Sequence, residues 1–164
     1  MTTTPIVTIT RKESFSSAHR LHSKSLSDEE NRNIFGKCNS LNGHGHNYTA
    51  EVSVRGPIDR ENGMVMNLTE LKQLMNDCIM TTMDHKNIDM DVPYFKTIPS
   101  TAENIAVFIW DSLSARLPKP ELLFEVKLWE TDKNYVTYRG KKTEVRSDRR
   151  SGKNICGSMS SDSE

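Results

Sequence analysis

Three histidines, His19, His44 and His46, have the type and spacing of a metal site. His44 and His46 lie two residues apart in an alternating segment, so on a β-strand both imidazoles project from the same face. His19 ends an earlier β-type segment and can supply a third nitrogen from a neighbouring strand. Three neutral imidazoles suit a Zn²⁺ ion whose fourth position stays open for water or substrate. Because His-x-His pairs also occur on ordinary surfaces, spacing alone leaves open that the three histidines are unrelated.

Cys38 allows two interpretations, which the sequence leaves open. It lies in a polar segment, with Lys37 before it and five residues between it and His44. Its thiolate can be a fourth ligand that closes a Cys-His₃ structural site. Alternatively, the thiol stays free beside a cation that favours the thiolate, and it acts as a base or nucleophile. Cys78 falls on an apolar helical stripe and is expected in the core, whereas Cys156 is expected to be inert.

Asp84 and His85 are adjacent and follow a segment with helical periodicity. A carboxylate that holds one imidazole nitrogen orients the ring, so that the other nitrogen can donate or accept a proton near neutral pH. Adjacent Asp-His pairs are also frequent by chance. The pair is therefore a hypothesis about acid/base chemistry.

Glu130 continues the even-numbered apolar positions Phe124, Val126 and Leu128, so its carboxylate is predicted to point to the core side at a strand end. A buried carboxylate needs hydrogen-bond donors. These donors are either amides of the protein or a ligand with paired N–H groups, such as an aminopyrimidinone ring. Glu103 can play a similar part, but its place in a predicted capping box is a sufficient structural explanation.

Two predicted strands and a loop have to position these groups. Residues 6–19 are rich in Thr, Ile, Val and Phe, which is typical of a strand. Residues 23–43 are polar and rich in turn-forming types, which predicts a long loop. From residue 44 to residue 55, apolar and polar side chains alternate with a period of two, which predicts a second strand.

Two helices and two further strands complete the predicted domain. Asn67 and Ser100 each precede a glutamate by three residues, the pattern of a capping box, and apolar stripes follow both until Pro118 ends the second helix. Residues 122–129 and 135–139 are predicted strands. This order predicts an α+β fold, a four-stranded antiparallel sheet with both helices on one face. The edges of so small a sheet need pairing, and association into a larger barrel provides it.

Composition restricts the possible partners. The 164 residues include 22 basic and 22 acidic side chains, and a formal net charge of zero argues against a broad basic face for nucleic acid. No apolar run approaches the roughly 20 residues that span a bilayer, and three distant cysteines favour a reducing, cytoplasmic location. Residues 140–164 contain no Leu, Phe, Trp or Tyr, so we predict a domain over 1–139 and a polar, disordered tail over 140–164.

Several motifs occur in order along this predicted domain: FSSAHRLHSKSLSDEENRNIFGKCN (15–39), NGHGHNY (42–48), GMVMNLTELK (63–72), MDHKNIDMDVPYF (83–95), STAENIAVFIW (100–110) and VKLWETDKN (126–134). Together they resemble the animal 6-pyruvoyl-tetrahydropterin synthase family over about residues 5–139. The resemblance implies one role for each candidate residue: zinc ligands (His19, His44, His46), catalytic thiol (Cys38), acid/base pair (Asp84, His85) and pterin anchor (Glu130).

The same resemblance implies a fold, an assembly and a reaction. In the tunnelling fold of this family, sheets of three subunits join into a barrel, and two trimers stack into a homohexamer with active sites between subunits. The implied lyase holds one Zn²⁺ per subunit. It converts 7,8-dihydroneopterin triphosphate into 6-pyruvoyl-5,6,7,8-tetrahydropterin and triphosphate, in tetrahydrobiopterin biosynthesis.

Two other functions remain alternatives. The bacterial-type 6-carboxy-tetrahydropterin synthases share the zinc and acid/base residues, although the long FGKCNSLNGHGHNY and MDHKNIDMDVPYF segments look more like the animal type. In a non-catalytic, zinc-stabilised binding module, Cys38 would complete the metal shell. Asp84, His85 and Glu130 would then have no role. The residues that contact the triphosphate, the role of His22 and phosphorylation of Ser14 stay open at this stage.

Overall fold

The structure, a computed structural model, describes residues 3–141. Most of the predicted tail over 140–164, including Cys156, lies outside the described residues. The strands are β1 Ile6–His19, β2 His44–Pro57, β3 Lys86–Asn87, β4 Leu123–Trp129 and β5 Tyr135–Tyr138. The helices are α1 Asp28–Phe35, α2 Leu68–Met75, α3 Thr81–Met83, α4 Ile88–Asp91 and α5 Ala102–Ser114. Among residues 3–141, none of the helices has the length and apolar character of a membrane-spanning segment.

The predicted α+β class is confirmed, but the sheet differs from the prediction. It has five strands in the order β3-β1-β2-β4-β5, not four. β3 runs parallel to β1, pairing at Ser17–Lys86 and Ala18–Asn87, so the sheet is mixed and not antiparallel. A strand of two residues is too short to show alternation. Its pairing depends on a segment about 70 positions away, which local pattern cannot indicate.

The register between β1 and β2 places alternate residues on one core-facing side. Phe15 lies opposite Tyr48, and their rings stack with centroids 5.0 Å apart. His19 lies opposite His44 in the same ladder. The core combines this side of the sheet with apolar residues of α2, the following helical turns and α5. The histidines therefore lie at one end of the core-facing side.

A β-bulge changes the predicted alternation in β4. The pairing of β2 with β4 shifts between Ser53 and Val54, so Val54 pairs with Leu123 and Ser53 with Glu125. Leu123 is consequently buried, whereas Phe124 packs under the guanidinium of Arg55, 5.2 Å from its ring centroid. The prediction that Phe124 belongs to the inner face is wrong, because the extra residue reverses the alternation at that point.

The predicted long loop over 23–43 contains a helix, α1. Ser27 and Glu30 form a reciprocal capping box at its start. Asn31 is its one buried residue, and its side-chain amide donates to the backbone oxygens of Ser23, Leu26 and Ser27. A helix that is polar nearly all round lacks the apolar stripe on which the prediction relied.

The other two helical starts differ in detail from the predictions. Asn67 caps α2 by accepting from the Thr69 amide. The residue that caps α5 is Thr101, not Ser100, and it accepts from the Asn104 amide. Between α2 and α3 the chain makes one π-helical turn over Asn76–Met80, which keeps residues 68–83 continuous.

We expect Leu71→Ala and Leu68→Ala to have different effects on the free energy of unfolding. Both leucines are on α2, but Leu71 is 0% exposed and Leu68 is 50% exposed. Removing the buried side chain leaves a cavity and costs about 2–5 kcal/mol, whereas the exposed one costs about 0.5 kcal/mol or less. Urea unfolding at one fixed protein concentration measures both. Equal losses of unfolding free energy in the two variants would contradict the placement of Leu71 in the core.

Candidate functional site

Three imidazoles converge at the end of β1 and the start of β2. One ligand atom from each of His19, His44 and His46 lies within 4.8 Å of the others, and this is the only such group in the part of the chain that the structure describes. His19 is fully buried, and the side chain of His46 is 20% exposed. Gly43, at φ 72°, lets the chain before β2 lie close to the backbone of His19. A Cβ at this position would lie 2.7 Å from the His19 carbonyl oxygen. The predicted grouping of the three histidines is confirmed.

Hydrogen bonding assigns the ring nitrogens. His19 Nδ1 lies 2.8 Å from the carbonyl oxygen of Ser100, so Nδ1 carries the proton and Nε2 keeps its lone pair. His19 Nε2 lies 3.1 Å from His44 Nε2, and His44 Nδ1 is buried with no hydrogen-bond partner among the described residues. Nitrogens in a tetrahedral zinc site, at Zn–N of about 2.0–2.1 Å, are roughly 3.3–3.4 Å apart. The His19–His44 pair therefore has about the spacing of two zinc ligands, and the His46 nitrogen lies within 4.8 Å of both.

The surroundings keep two of these imidazoles neutral. Burial is the largest cause that lowers the pKa of His19, against the raising effect of the Ser100 carbonyl. Burial, followed by His46, also lowers the pKa of His44. An imidazole must be unprotonated to bind a metal, so both rings are ready to coordinate at neutral pH.

Glu130 lies beside the histidines, at the end of β4. Its Oε1 is 3.5 Å from His46 Nε2 and 3.7 Å from His19 Nε2. The backbone amide of Glu130 donates to Asn134 across the turn before β5. With Leu21 among its neighbours, Glu130 lines a cavity of about 300 Å³, which we call the Glu130 cavity. Glu103, the other carboxylate considered from sequence, lines the same cavity.

Cys38 does not join the metal-binding group. It lies in a 3₁₀ turn over Gly36–Asn39, half-buried and with a free thiol. Its sulfur is not among the atoms that converge with the three imidazoles. The geometry therefore favours the open three-histidine site over the closed Cys-His₃ site.

Asn39, which the sequence did not single out, holds the Cys38 turn in place. Its side-chain amide donates to the Leu21 carbonyl at 2.7 Å and to His22 Nδ1 at 3.0 Å. The Arg20 guanidinium donates to the Asn39 carbonyl at 2.9 Å, and the Leu21 amide donates to the Cys38 carbonyl at 2.9 Å. These contacts tie the turn to the segment that follows β1. No local signal marks a buried Asn in a polar segment, so only the fold identifies it.

Asp84 and His85 form a pair beside β1, directly before β3. Asp84 Oδ2 is 2.8 Å from His85 Nδ1, and Asp84 Oδ1 accepts from the Ser16 amide at 2.9 Å. The His85 amide donates to the Ser16 carbonyl at 2.7 Å, and His85 adopts φ 58°, a left-handed conformation that non-glycine residues seldom adopt. The His85 side chain is 84% exposed. The fold thus fixes the pair but leaves the ring open to another molecule.

The candidate site therefore consists of three groups that are held separately: the three histidines with Glu130, the Cys38 thiol, and the Asp84–His85 pair. Within residues 3–141, no hydrogen bond or ion pair joins Cys38, Asp84 or His85 to the histidine group or to Glu130. The Cys38 turn is instead held by contacts to the segment after β1, and the Asp84–His85 pair by the backbone of Ser16 on β1. A ligand, or another subunit, has to connect them.

The fold and the site define a small α+β protein with a three-histidine group that can hold a metal ion, an Asp-His pair and a carboxylate at a cavity. The sequence profile described as 6-pyruvoyl tetrahydropterin synthase matches residues 8–141. The chain belongs to the 6-pyruvoyl tetrahydropterin synthase family.

Relatives and solved structures are similar over most of the chain. The 6-pyruvoyl tetrahydrobiopterin synthase of Drosophila melanogaster is 59% identical over 140 residues, which cover 85% of this chain and 83% of that protein. The Homo sapiens protein of the same name is 58% identical over 132 residues, 80% of this chain and 90% of that one. The structure of Caenorhabditis elegans 6-pyruvoyl tetrahydropterin synthase has a TM-score of 0.83 at 49% identity, covering 86% of this chain and 100% of that chain.

We expect Asp84 to stabilise the fold in a pH-dependent way. The hydrogen bond from the Ser16 amide, with a smaller contribution from His85, lowers the pKa of Asp84 below its ordinary 3.8. A carboxyl with a lowered pKa stabilises the folded state above its ordinary pKa, and the effect is lost as the pH falls through the lowered value.

Urea unfolding of the wild type and of Asp84→Asn, between about pH 7 and pH 3, tests this expectation. The difference in unfolding free energy should be constant near neutral pH and shrink in acid. Asp132→Asn, at an exposed turn, is the control and should show no such trend. A gap for Asp84→Asn that does not change with pH would contradict the expectation.

Proposed function

We propose that the chain is a lyase that converts 7,8-dihydroneopterin triphosphate into 6-pyruvoyl-5,6,7,8-tetrahydropterin and triphosphate, a step of tetrahydrobiopterin biosynthesis. The observation that carries the proposal is the three-histidine group beside Glu130 and its cavity. Two relatives that are 59% and 58% identical to this chain are named 6-pyruvoyl tetrahydrobiopterin synthase. The cytoplasmic location remains a prediction from cysteine usage.

We assign one Zn²⁺ per subunit to His19, His44 and His46. Three neutral imidazoles with an open fourth position are the ligand set of catalytic zinc. When bound, the ion supplies Lewis acidity to the oxygens of the substrate side chain, which makes the neighbouring C–H protons more acidic. The carbonyl of Ser100 orients the His19 ring by accepting from Nδ1, so that Nε2 faces the ligand position.

The reaction moves protons between carbon atoms while the redox change stays within the substrate. In the proposal, the Cys38 thiolate removes a proton from the side chain, and His85 returns one at another position. Asp84 holds His85 Nδ1 at 2.8 Å, so the exchanged proton is carried by Nε2. Triphosphate leaves as a stable anion.

Glu130 is assigned to the pterin ring. An aminopyrimidinone edge carries paired N–H donors, and a carboxylate accepts both at once. Glu130 is half-buried at the border between its cavity and the histidines. A ring bound there brings its side chain to the metal-binding group.

The function is tested by incubating the purified chain with zinc and dihydroneopterin triphosphate. We expect release of triphosphate together with a product that has the mass of the pyruvoyl pterin. A carboxy-pterin mass would replace the proposal with the 6-carboxy-tetrahydropterin synthase reaction. Zinc binding without turnover would favour the binding module.

Cys38→Ala is expected to keep its zinc and to lose at least about 100-fold in turnover, because it removes a proton-transferring group but no ligand. Metal analysis and turnover measure the two effects. His44→Ala is the matched variant, and we expect it to lose the metal. Loss of zinc from Cys38→Ala, or sulfur in the zinc shell by X-ray absorption, would restore the closed-site interpretation.

Glu130→Ala is expected to weaken binding of neopterin about tenfold or more, with zinc content unchanged, because it removes a charged acceptor of paired hydrogen bonds. Glu103→Ala is the comparison, since Glu103 lines the same cavity but is exposed on α5. Calorimetric titration with neopterin measures both. A larger loss in Glu103→Ala would transfer the anchor role to that residue.

We further propose that the chain assembles into a homohexamer of two trimers, in which sheets join into a barrel and sites form between subunits. The support within one chain is the separation of the groups. The exposed His85 ring has no hydrogen bond or ion pair in the described residues except with Asp84. An acid/base pair that opens outward suits a site completed by a neighbour.

Mixed assemblies test the shared site. Hexamers co-expressed from Cys38→Ala and His85→Ala chains are expected to recover about a quarter of wild-type turnover, because random mixing gives that fraction of sites both intact residues. Each homogeneous variant is the control. No recovery in the mixed assemblies would show that Cys38 and His85 act from the same subunit.

A further inference from the structure

A cavity of about 620 Å³ lies beside the Cys38 turn, and the proposed chemistry does not use it. It runs between the segment after β1, the helix α1 and the turn over Gly36–Asn39. Its charged and polar lining includes Arg20, His22, Asp28, Arg32, Lys37 and Asn39. We call it the cationic cavity. His22, whose role the sequence leaves open, is part of its wall.

The cationic cavity carries more positive than negative charge. Arg20, Arg32 and Lys37 line it together with one carboxylate, Asp28. Within residues 3–141, none of the three cations forms an ion pair. Arg20 instead donates to the carbonyl of Asn39, which holds its guanidinium at the wall. Cations without carboxylate partners in a concave site attract a polyanion.

Two uncharged side chains, Asn39 and His22, add hydrogen bonds of fixed direction to the cavity wall. The side-chain amide of Asn39 donates to His22 Nδ1, so a neutral His22 carries its proton on Nε2. Nε2 is therefore a hydrogen-bond donor on a residue of the cavity wall. Asn39 also connects Arg20 and His22, because both contact it. The buried Asn39 side chain and backbone therefore hold two residues of the cavity wall in place.

The cationic cavity is adjacent to the candidate catalytic groups. Lys37 directly precedes Cys38, and Arg20 directly follows His19. Arg20 and His22 line the cationic cavity, while Leu21 between them lines the Glu130 cavity. One extended segment therefore borders both cavities through neighbouring residues.

We propose that the cationic cavity binds the triphosphate group, with Arg20, Arg32 and Lys37 as its cationic contacts. The proposal rests on the proposed function, because that substrate carries a ring, a short side chain and a triphosphate in this order. Guanidinium groups bind phosphate oxygens through paired hydrogen bonds, and the lysine adds a point charge. The same cations stabilise the negative charge that triphosphate gains when it leaves.

Inorganic triphosphate is the probe, titrated calorimetrically into the full-length protein at low salt. We expect Arg32→Gln and Lys37→Gln each to weaken binding about five- to tenfold, the loss expected for one charge-assisted contact. Lys72→Gln is the matched control, since it removes the same charge from an exposed position on α2 outside these cavities and should bind like the wild type. Lys37→Arg should bind like the wild type.

Steady-state kinetics gives an independent measurement. The KM for dihydroneopterin triphosphate should rise in Arg32→Gln, while zinc content and the affinity for unphosphorylated neopterin stay at wild-type values. A change in neopterin affinity equal to the change in KM would overturn the proposal, because it would place Arg32 at the ring and not at the phosphates.

Three further outcomes also overturn the inference. Wild-type triphosphate affinity in both glutamine variants excludes these cations, and an equal loss in Lys72→Gln indicates a general charge effect. A loss confined to Lys96→Gln would move the binding site to the neighbouring cavity that Lys96 lines. If the wild type turns over the substrate while these variants are unaffected, only this inference fails. If the wild type releases no triphosphate, the proposed function fails.

Discussion

The register of one antiparallel strand pair is the constraint on which the rest of the site depends. His19 on β1 lies opposite His44 on β2, and His46 follows two residues later on the same face. A slip of one residue would turn one set of side chains to the other face and separate the nitrogens. The stacked pair Phe15–Tyr48 belongs to the same ladder, so the packing of the core and the convergence of the three histidines depend on the same register.

Contacts between distant segments then orient what the register brings together. The Ser100 carbonyl, 81 positions from His19, sets the tautomer of that ring. The backbone of Ser16 holds Asp84 and His85 from 68 positions or more away, and Asn39 holds the Cys38 turn against the segment after β1. Backbone partners cannot change rotamer, so they hold the groups in fixed directions before a ligand binds.

The separation of these groups explains the architecture of the site. The buried, neutral His19 imidazole faces the core side, whereas the His85 ring is exposed beside β1. Metal ligands gain from burial, which keeps them unprotonated, but a group that exchanges protons needs access to its substrate. One chain holds both environments, and the exposed edge is where a neighbouring subunit is proposed to complete the site.

The residue types and their periodicity were sufficient to predict β1, β2 and the alternation that brings Glu130 to the histidine side, and they indicated that the three histidines can converge. They failed where periodicity is absent or interrupted. The helix α1 is polar nearly all round, β3 has two residues, and the bulge opposite Ser53 reverses the alternation around Phe124. In each case the stabilising contact is either local capping without an apolar stripe or pairing with a remote strand.

Composition and local pattern therefore decided which faces are apolar, where chemistry-bearing side chains occur and which of them share a face. The tertiary structure alone decided that Ser100 orients His19, that Asn39 holds the Cys38 turn, and that Arg20 and Leu21 border different cavities. The physical reason is that a periodic pattern records the side of an element that is buried. Which other element that side packs against depends on contacts between distant segments. These contacts form only after the intervening chain has closed into a loop, so no local pattern records them.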